Sequence, residues 1–266
     1  CAGMGGFAAA ASPITCNLSF LPFESGTMPC TLFFCSGRMP MLPIHGLTIY
    51  SGLLLAGSAL LLLLALGAAR LNQYPVGYWF GWLCLSGAVY TFGYAMELAC
   101  QTREQVEMWI AIELTGAIFT PALLILMSLA YRLQRHPPTG LIAALLAFSS
   151  VTLAIQYGNA QHHWMFADIQ IVQRNGLTIS LLAPGPWFYL HLMHINASVV
   201  ISSALFWQCW RRAPAHHRPQ VLLILLGCLP PWLCFLCYLA DWSPAGVDLT
   251  AFGFLLTAPL FALGLW

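Results

Sequence analysis

Seven apolar runs, each near the length of a bilayer crossing, dictate what this chain can fold into. A helix needs ~20 mostly apolar residues to span the hydrocarbon core. The runs lie at about 47–69, 78–100, 108–131, 140–157, 186–209, 219–240 and 249–266. Only 6% of the 266 residues are charged and 60% are hydrophobic, which leaves too few charged side chains to clothe a soluble surface. The expected fold is an all-α membrane protein, a seven-transmembrane helix bundle with the lipid bilayer as its solvent. Aromatic residues near the run ends (Tyr78, Trp79, Trp109, Tyr131, Trp187, Trp242) suit the water interface. A net charge of +1 gives no reason to expect a nucleic-acid partner.

The loops set the orientation. Every basic residue is arginine. Arg70, Arg132, Arg135, Arg211, Arg212 and Arg218 fall in the first, third and fifth loops, against Arg103 and Arg174 in the second and fourth. The positive-inside bias therefore predicts an outside N-terminus and a cytoplasmic C-terminus. Residues 1–40 are rich in Gly, Ala, Ser and Cys without a sustained period. They are expected to form a poorly ordered extension ahead of the membrane domain at 41–266. This extension reads as a reading-frame artefact, with Met39 or Met41 as the true start; a processed lipoprotein beginning at Cys1 is the alternative.

Two local signals interrupt the apolar pattern. In "IQIVQRNGLTISL", alternating runs flank Asn175-Gly176. Asn-Gly tolerates positive φ, so a small β-hairpin is expected outside the membrane between the fourth and fifth helices. Pro121, Pro230, Pro231 and Pro259 fall within helical runs, where each removes a backbone donor and favours a kink. Ten cysteines are scattered, and Cys234 and Cys237 form a C-x-x-C inside a run; packing explains them better than a disulfide framework.

The ionisable residues inside the runs are the candidate site. With this orientation, Glu97 lies near the outer end of the second helix, and Glu113 lies ~8 Å below the outer end of the third. His191 and His194 lie ~8 and ~12 Å deep in the fifth. Asp241 closes the sixth helix and Asp248 opens the seventh, both at the outer face. Glu113 shares a helical face with Gly116, Ala117 and Thr120; small residues let helices approach closely, so Glu113 is expected to face protein. Glu97 shares a face with Tyr90, Gly93 and Tyr94, whose phenols are placed to donate to it. His191, His194, Ser198 and Ser202 form a third polar stripe. The three stripes are expected to converge on an outward-opening pocket.

Three readings compete for this cluster: a ligand or metal pocket, a proton sensor, and carboxylates that merely bind the bundle together. Carboxylate with His at i,i+3 is compatible with zinc, but no compact ligand motif is present, and no metal or cofactor is predicted. Asp248-Leu249-Thr250 also reads as a helix start with Asp as cap. No catalytic residue is expected. The absence of lysine excludes a retinal Schiff base, so no retinal is expected either.

The residues "YAMELACQTREQVEMWIAIELTGAIFTPALLILMSLAYR", "NAQHHWMF", "GPWFYLHLMHIN" and "GVDLTAFGFLL" resemble the seven-helix N-terminal sensor region of bacterial histidine kinases and diguanylate cyclases. The resemblance covers about residues 44 to 266, with Glu97, Glu113, Pro121, Tyr131 and Asp248-Leu249-Thr250 in matching order. It implies a sensory input domain in the bacterial inner membrane. A small-molecule or ion signal would be relayed to a cytoplasmic kinase or cyclase output following Trp266. A homodimer is expected by analogy with such outputs. No kinase His box, GGDEF-like sequence or nucleotide-binding glycine loop occurs, so the chain itself is not expected to be an enzyme. The competing functions are a small permease or proton-coupled carrier, and a membrane scaffold without a ligand.

Overall fold

The computed structural model describes residues 48–70, 74–174, 177–240, 242 and 247–265. The expected N-terminal extension, the Asn175-Gly176 turn and Asp241 lie outside the described residues. The chain is mostly helical. α1 (Ile49–Ala69), α2 (Pro75–Glu97), α3 (Arg103–Leu133) and α4 (Thr139–Tyr157) precede a single turn, α5 (Asn159–His162). Two strands follow, β1 (Phe166–Arg174) and β2 (Leu177–Pro184), then α6 (Pro186–Arg212), α7 (Arg218–Gly227), α8 (Leu229–Leu239) and α9 (Thr250–Leu265).

Among the described residues five helices are long and apolar enough to cross a membrane: α1, α3, α4, α6, and α7 with α8 taken together. α9 is apolar but has 16 residues. α2 has 23 residues, carries Ser86, Thr91 and Glu97, and is buried along most of its length. Leu63 and Leu66 of α1 and Met193 and Val200 of α6 are more than half exposed, an outward apolar surface that suits lipid rather than water.

Local chemistry moves several boundaries from their expected positions. α3 begins five residues early because Thr102 Oγ1 accepts the Gln105 amide (3.4 Å) and Arg103 pairs with Glu107 (2.7 Å). That extra polar turn caps the apolar run. α6 continues past 209, with Arg211 and Arg212 in its last turn, where positive charge meets the negative end of the helix dipole. The sixth run is not one uninterrupted helix. It breaks between Gly227 and Leu229, where Pro230 and Pro231 offer no amide to the preceding turn. Pro121 and Pro259, in contrast, lie inside helices that run on without a break.

α2 packs along both α1 and α3. The α2–α3 seam is backbone on backbone. A Cβ at Gly93 would lie 2.6 Å from Glu113 Cα, and one at Gly116 would strike the Ser86 carbonyl and the Tyr90 amide. Ser86 Oγ donates to the Gly116 carbonyl across this seam (2.7 Å) and lies 3.0 Å from Thr120 Oγ1. β1 pairs antiparallel with β2, Ile171 opposite Ser180 and Ile169 opposite Leu182, with an irregularity between Phe166 and Asp168. The strands dock on the α2–α3 connection: the Thr178 amide donates to the Leu98 carbonyl (3.4 Å) and its hydroxyl to the Cys100 carbonyl. Ile169, Ile171 and Leu182 pack on Cys100, Val106 and Ile110.

Candidate functional site

α2, α3, α6, α8 and the start of α9 close around a cavity of about 240 Å³, and the two strands line one end of it. That end, the strand end of the bundle, is polar. Glu97, Glu113, His191, Tyr90, Tyr94 and Asp248 all line the cavity, so six of the seven expected site residues meet in one place. Helix periodicity brings them there. Tyr90, Tyr94 and Glu97 fall on one face of α2 at spacings of four and three. The Gly93 contact presses that face against the backbone of Glu113.

The two glutamates are buried, 1% and 7% exposed. Their carboxyls adjoin, and Ser180 of β2 donates its hydroxyl to Glu97. The second carboxyl oxygen of Glu113, Oε2, is buried and has no hydrogen-bond partner. Neither has Nδ1 of His191, itself 4% exposed. Thr250 Oγ1, of the same cavity wall, is a third. Buried polar atoms are nearly always paired, so three orphans beside one cavity mark a site made for something else to complete.

The tyrosines do not serve Glu97 as expected. Tyr90 donates to Asp248 Oδ2 (2.7 Å), and Tyr94 Oη accepts the Asp248 amide (2.6 Å). Asp248 Oδ1 in turn accepts the Thr250 amide (2.8 Å), capping α9. The phenols therefore tie α2 to the start of α9, and Ser180 serves Glu97 instead.

His194 also departs from expectation. It does not line the cavity. Its ring packs edge-on against Phe148 of α4, with centroids 4.7 Å apart and 6.3 Å from the ring of His191. Ser198 lines the cavity, whereas Ser202 accepts a hydrogen bond from Ser128 of α3 (3.2 Å) and closes the helix contact there.

Several wall residues were not among the expected site residues, although Met165 and Phe166 end the quoted "NAQHHWMF". Ser180, Met165 and Phe166 come from the segment between α5 and α6, and Trp232, Phe235 and Tyr238 from α8. Trp232 Nε1 donates to Asn196 Oδ1 (3.0 Å), which fixes α8 against α6. Asn159 holds the turn before β1: its amide donates to the Phe166 carbonyl and its carbonyl accepts from the Met165 and Phe166 amides (2.9–3.0 Å). An asparagine followed six residues later by an apolar pair is too common a pattern to announce itself. The thiols of Cys234 and Cys237 are free and half-buried. Among the described residues no three His, Cys, Asp or Glu side chains converge with metal-ligand geometry.

The family described as the N-terminal 7TM region of histidine kinase matches residues 53–266, well over half of the chain. Comparison with curated proteins gives no match.

Proposed function

Because the chain belongs to the family of N-terminal seven-transmembrane regions of histidine kinases, we propose that this multi-pass membrane protein is the sensory input domain of a bacterial signal-transduction protein in the inner membrane. The strand end faces outside and the C-terminus faces the cytoplasm. A small signal enters the polar end of the cavity, and a cytoplasmic output domain reads the displacement of α8 and α9. The chain itself performs no catalysis, and two copies pair when the output requires it.

The observation that carries this reading is the cavity with its orphaned Glu113 Oε2 and His191 Nδ1. Its position supports a relay. Asp248, Thr250, Phe254, Thr257 and Phe261 place one face of α9 along the cavity, and α9 is the last described helix. A Cβ at Gly253 would lie 2.6 Å from Pro231 Cα, so α9 and the proline-broken α8 move as neighbours. A ligand shifts such an equilibrium only by binding one arrangement better than the other. The orphaned polar atoms are where that difference would arise.

The carrier alternative needs a polar path to the other face through Thr120, Ser198 and Ser202. Each of those hydroxyls already has a partner: Thr120 and Ser202 meet Ser86 and Ser128 across helix contacts, and Ser198 donates back to the Ile195 carbonyl of its own helix. The test is a fusion of the domain to a reporter kinase or cyclase. Glu113→Gln and the cavity-filling Ala117→Leu are expected to move the output set point severalfold, while Leu63→Trp on the outer surface of α1 leaves it unchanged. Wild-type output and response in both cavity variants would refute the sensory reading.

A further inference from the structure

The cavity is long and narrow. Glu113 to Leu124 on α3, Phe188 to Val199 on α6 and Thr250 to Phe261 on α9 each contribute a lining face eleven residues long, or ~16 Å at 1.5 Å per residue. Its polarity is graded along that length. Glu113, His191 and Asp248 stand at the strand end; Leu124, Val199 and Phe261 stand at the other. A dry cavity of ~150 Å³ accepts benzene. By the same ratio about 240 Å³ accepts roughly ten carbon-sized atoms. A compact ring system would not use the length; an extended chain would.

The polar end is built from acceptors without a matching charge. Three carboxyls line it, and no Arg does. Among the described residues none of the three is in an ion pair; the salt bridge Arg103–Glu107 lies on the exposed first turn of α3. A buried carboxylate needs a counter-charge or a proton, and Glu113 Oε2 still lacks a donor. Aromatic faces from Tyr94, Phe188, Trp232 and Tyr238 surround the cavity, a setting that favours a cation over an anion. The carboxyls do not converge as metal ligands, and a metal ion would leave the apolar length empty.

We infer that the cavity binds an extended aliphatic amine, its ammonium group at Glu113 and its chain of about eight to ten carbons toward Phe261. This rests on the sensory reading of the same cavity. The head donates to Glu113 Oε2 and supplies the charge that the Glu97–Glu113 pair lacks. His191 accepts a further N–H through Nδ1. The tail fills the apolar length between α3, α6 and α9.

The test uses the full chain in zwitterionic phospholipid nanodiscs, with binding read by isothermal titration calorimetry and empty discs as the partition control. The probes are octylamine, octan-1-ol and octanoate, matched in chain length and differing in head charge. Octylamine is expected to bind at least tenfold more tightly than octanol, as loss of charge-assisted hydrogen bonds predicts, and octanoate not at all. Glu113→Gln should bring octylamine to within about threefold of octanol, because the amide cannot supply the charge. Equal or tighter binding of octanol or octanoate by the wild-type protein overturns the proposal, and so does no binding by any probe; neither result depends on a variant folding. An amine preference that survives Glu113→Gln in a folded protein overturns it too. If the ranking fails while Ala117→Leu still shifts the reporter fusion, the ligand class falls and the sensor stands. If the reporter is indifferent to both cavity variants, the sensor itself falls.

Discussion

Replacing Gly93 with alanine tests the seam on which the whole site depends. The added Cβ would sit 2.6 Å from both Cα and Cβ of Glu113 and 2.7 Å from its amide nitrogen. Ordinary contact begins near 3.4 Å, so α2 and α3 must separate locally by about 0.8 Å. Overpacking of this kind costs about 1–3 kcal/mol, and the better helix propensity of alanine returns up to ~1 kcal/mol. The net loss of roughly 1–2 kcal/mol should lower Tm by about 2–8 °C for a domain of this size, measured by thermal unfolding in nanodiscs. Gly52→Ala and Gly140→Ala are the controls. Nothing lies within 4 Å of either new methyl group, so Tm should hold or rise. Truncating the neighbour should not rescue: in Gly93→Ala/Glu113→Ala the clash with the residue-113 backbone remains. A Gly93→Ala protein with Tm no lower than that of Gly52→Ala would refute the close α2–α3 approach.

Asn159→Ala deletes three bonds around Met165 and Phe166, at a cost of about 2–4 kcal/mol for three neutral bonds. Hydrogen exchange should accelerate through residues 163–185 while α2 stays protected. Tyr90→Phe removes the 2.7 Å bond to Asp248, a loss of about 1–3 kcal/mol if that carboxyl is charged. Asp248→Ala should cost about 1 kcal/mol more, because it also uncaps α9. A double-mutant cycle should give a coupling of at least ~0.5 kcal/mol; additivity would contradict the bond.

Six of the seven site residues were legible because an ionisable group in an apolar run is conspicuous and costly. Their partners were not. Ser180 belongs to an alternating strand, and nothing in "NGLTISL" says that its serine will reach Glu97. The apolar wall was invisible for the opposite reason: Leu124 and Phe261 look like the lipid-facing leucines and phenylalanines around them. Apolar length marked the runs, of which five among the described residues have the length and apolarity of a membrane span, and alternation marked the two paired strands. The break at Gly227 needed the packing of α9 against Pro231 as well as the two prolines.

His194 shows where face-sharing arguments fail and why. On α6 the cavity takes Phe188, His191, Ile195, Ser198 and Val199. At ~100° per residue, relative to His191 these lie at about +60°, 0°, +40°, −20° and +80°. The lining sector is therefore centred near +30°. His194 lies at about −60°, roughly a quarter-turn from that centre, and so meets Phe148 of α4 instead. An i,i+3 partner and an i,i+4 partner lie on opposite sides of the first residue. Which of them shares its site is decided by where the neighbouring helix stands. Ser202, at about +20° on the same scale, meets Ser128 of α3, whereas His194 meets Phe148 of α4. The same spacing that suggested a paired-histidine ligand set thus splits the pair, leaving His191 as the single imidazole of the cavity.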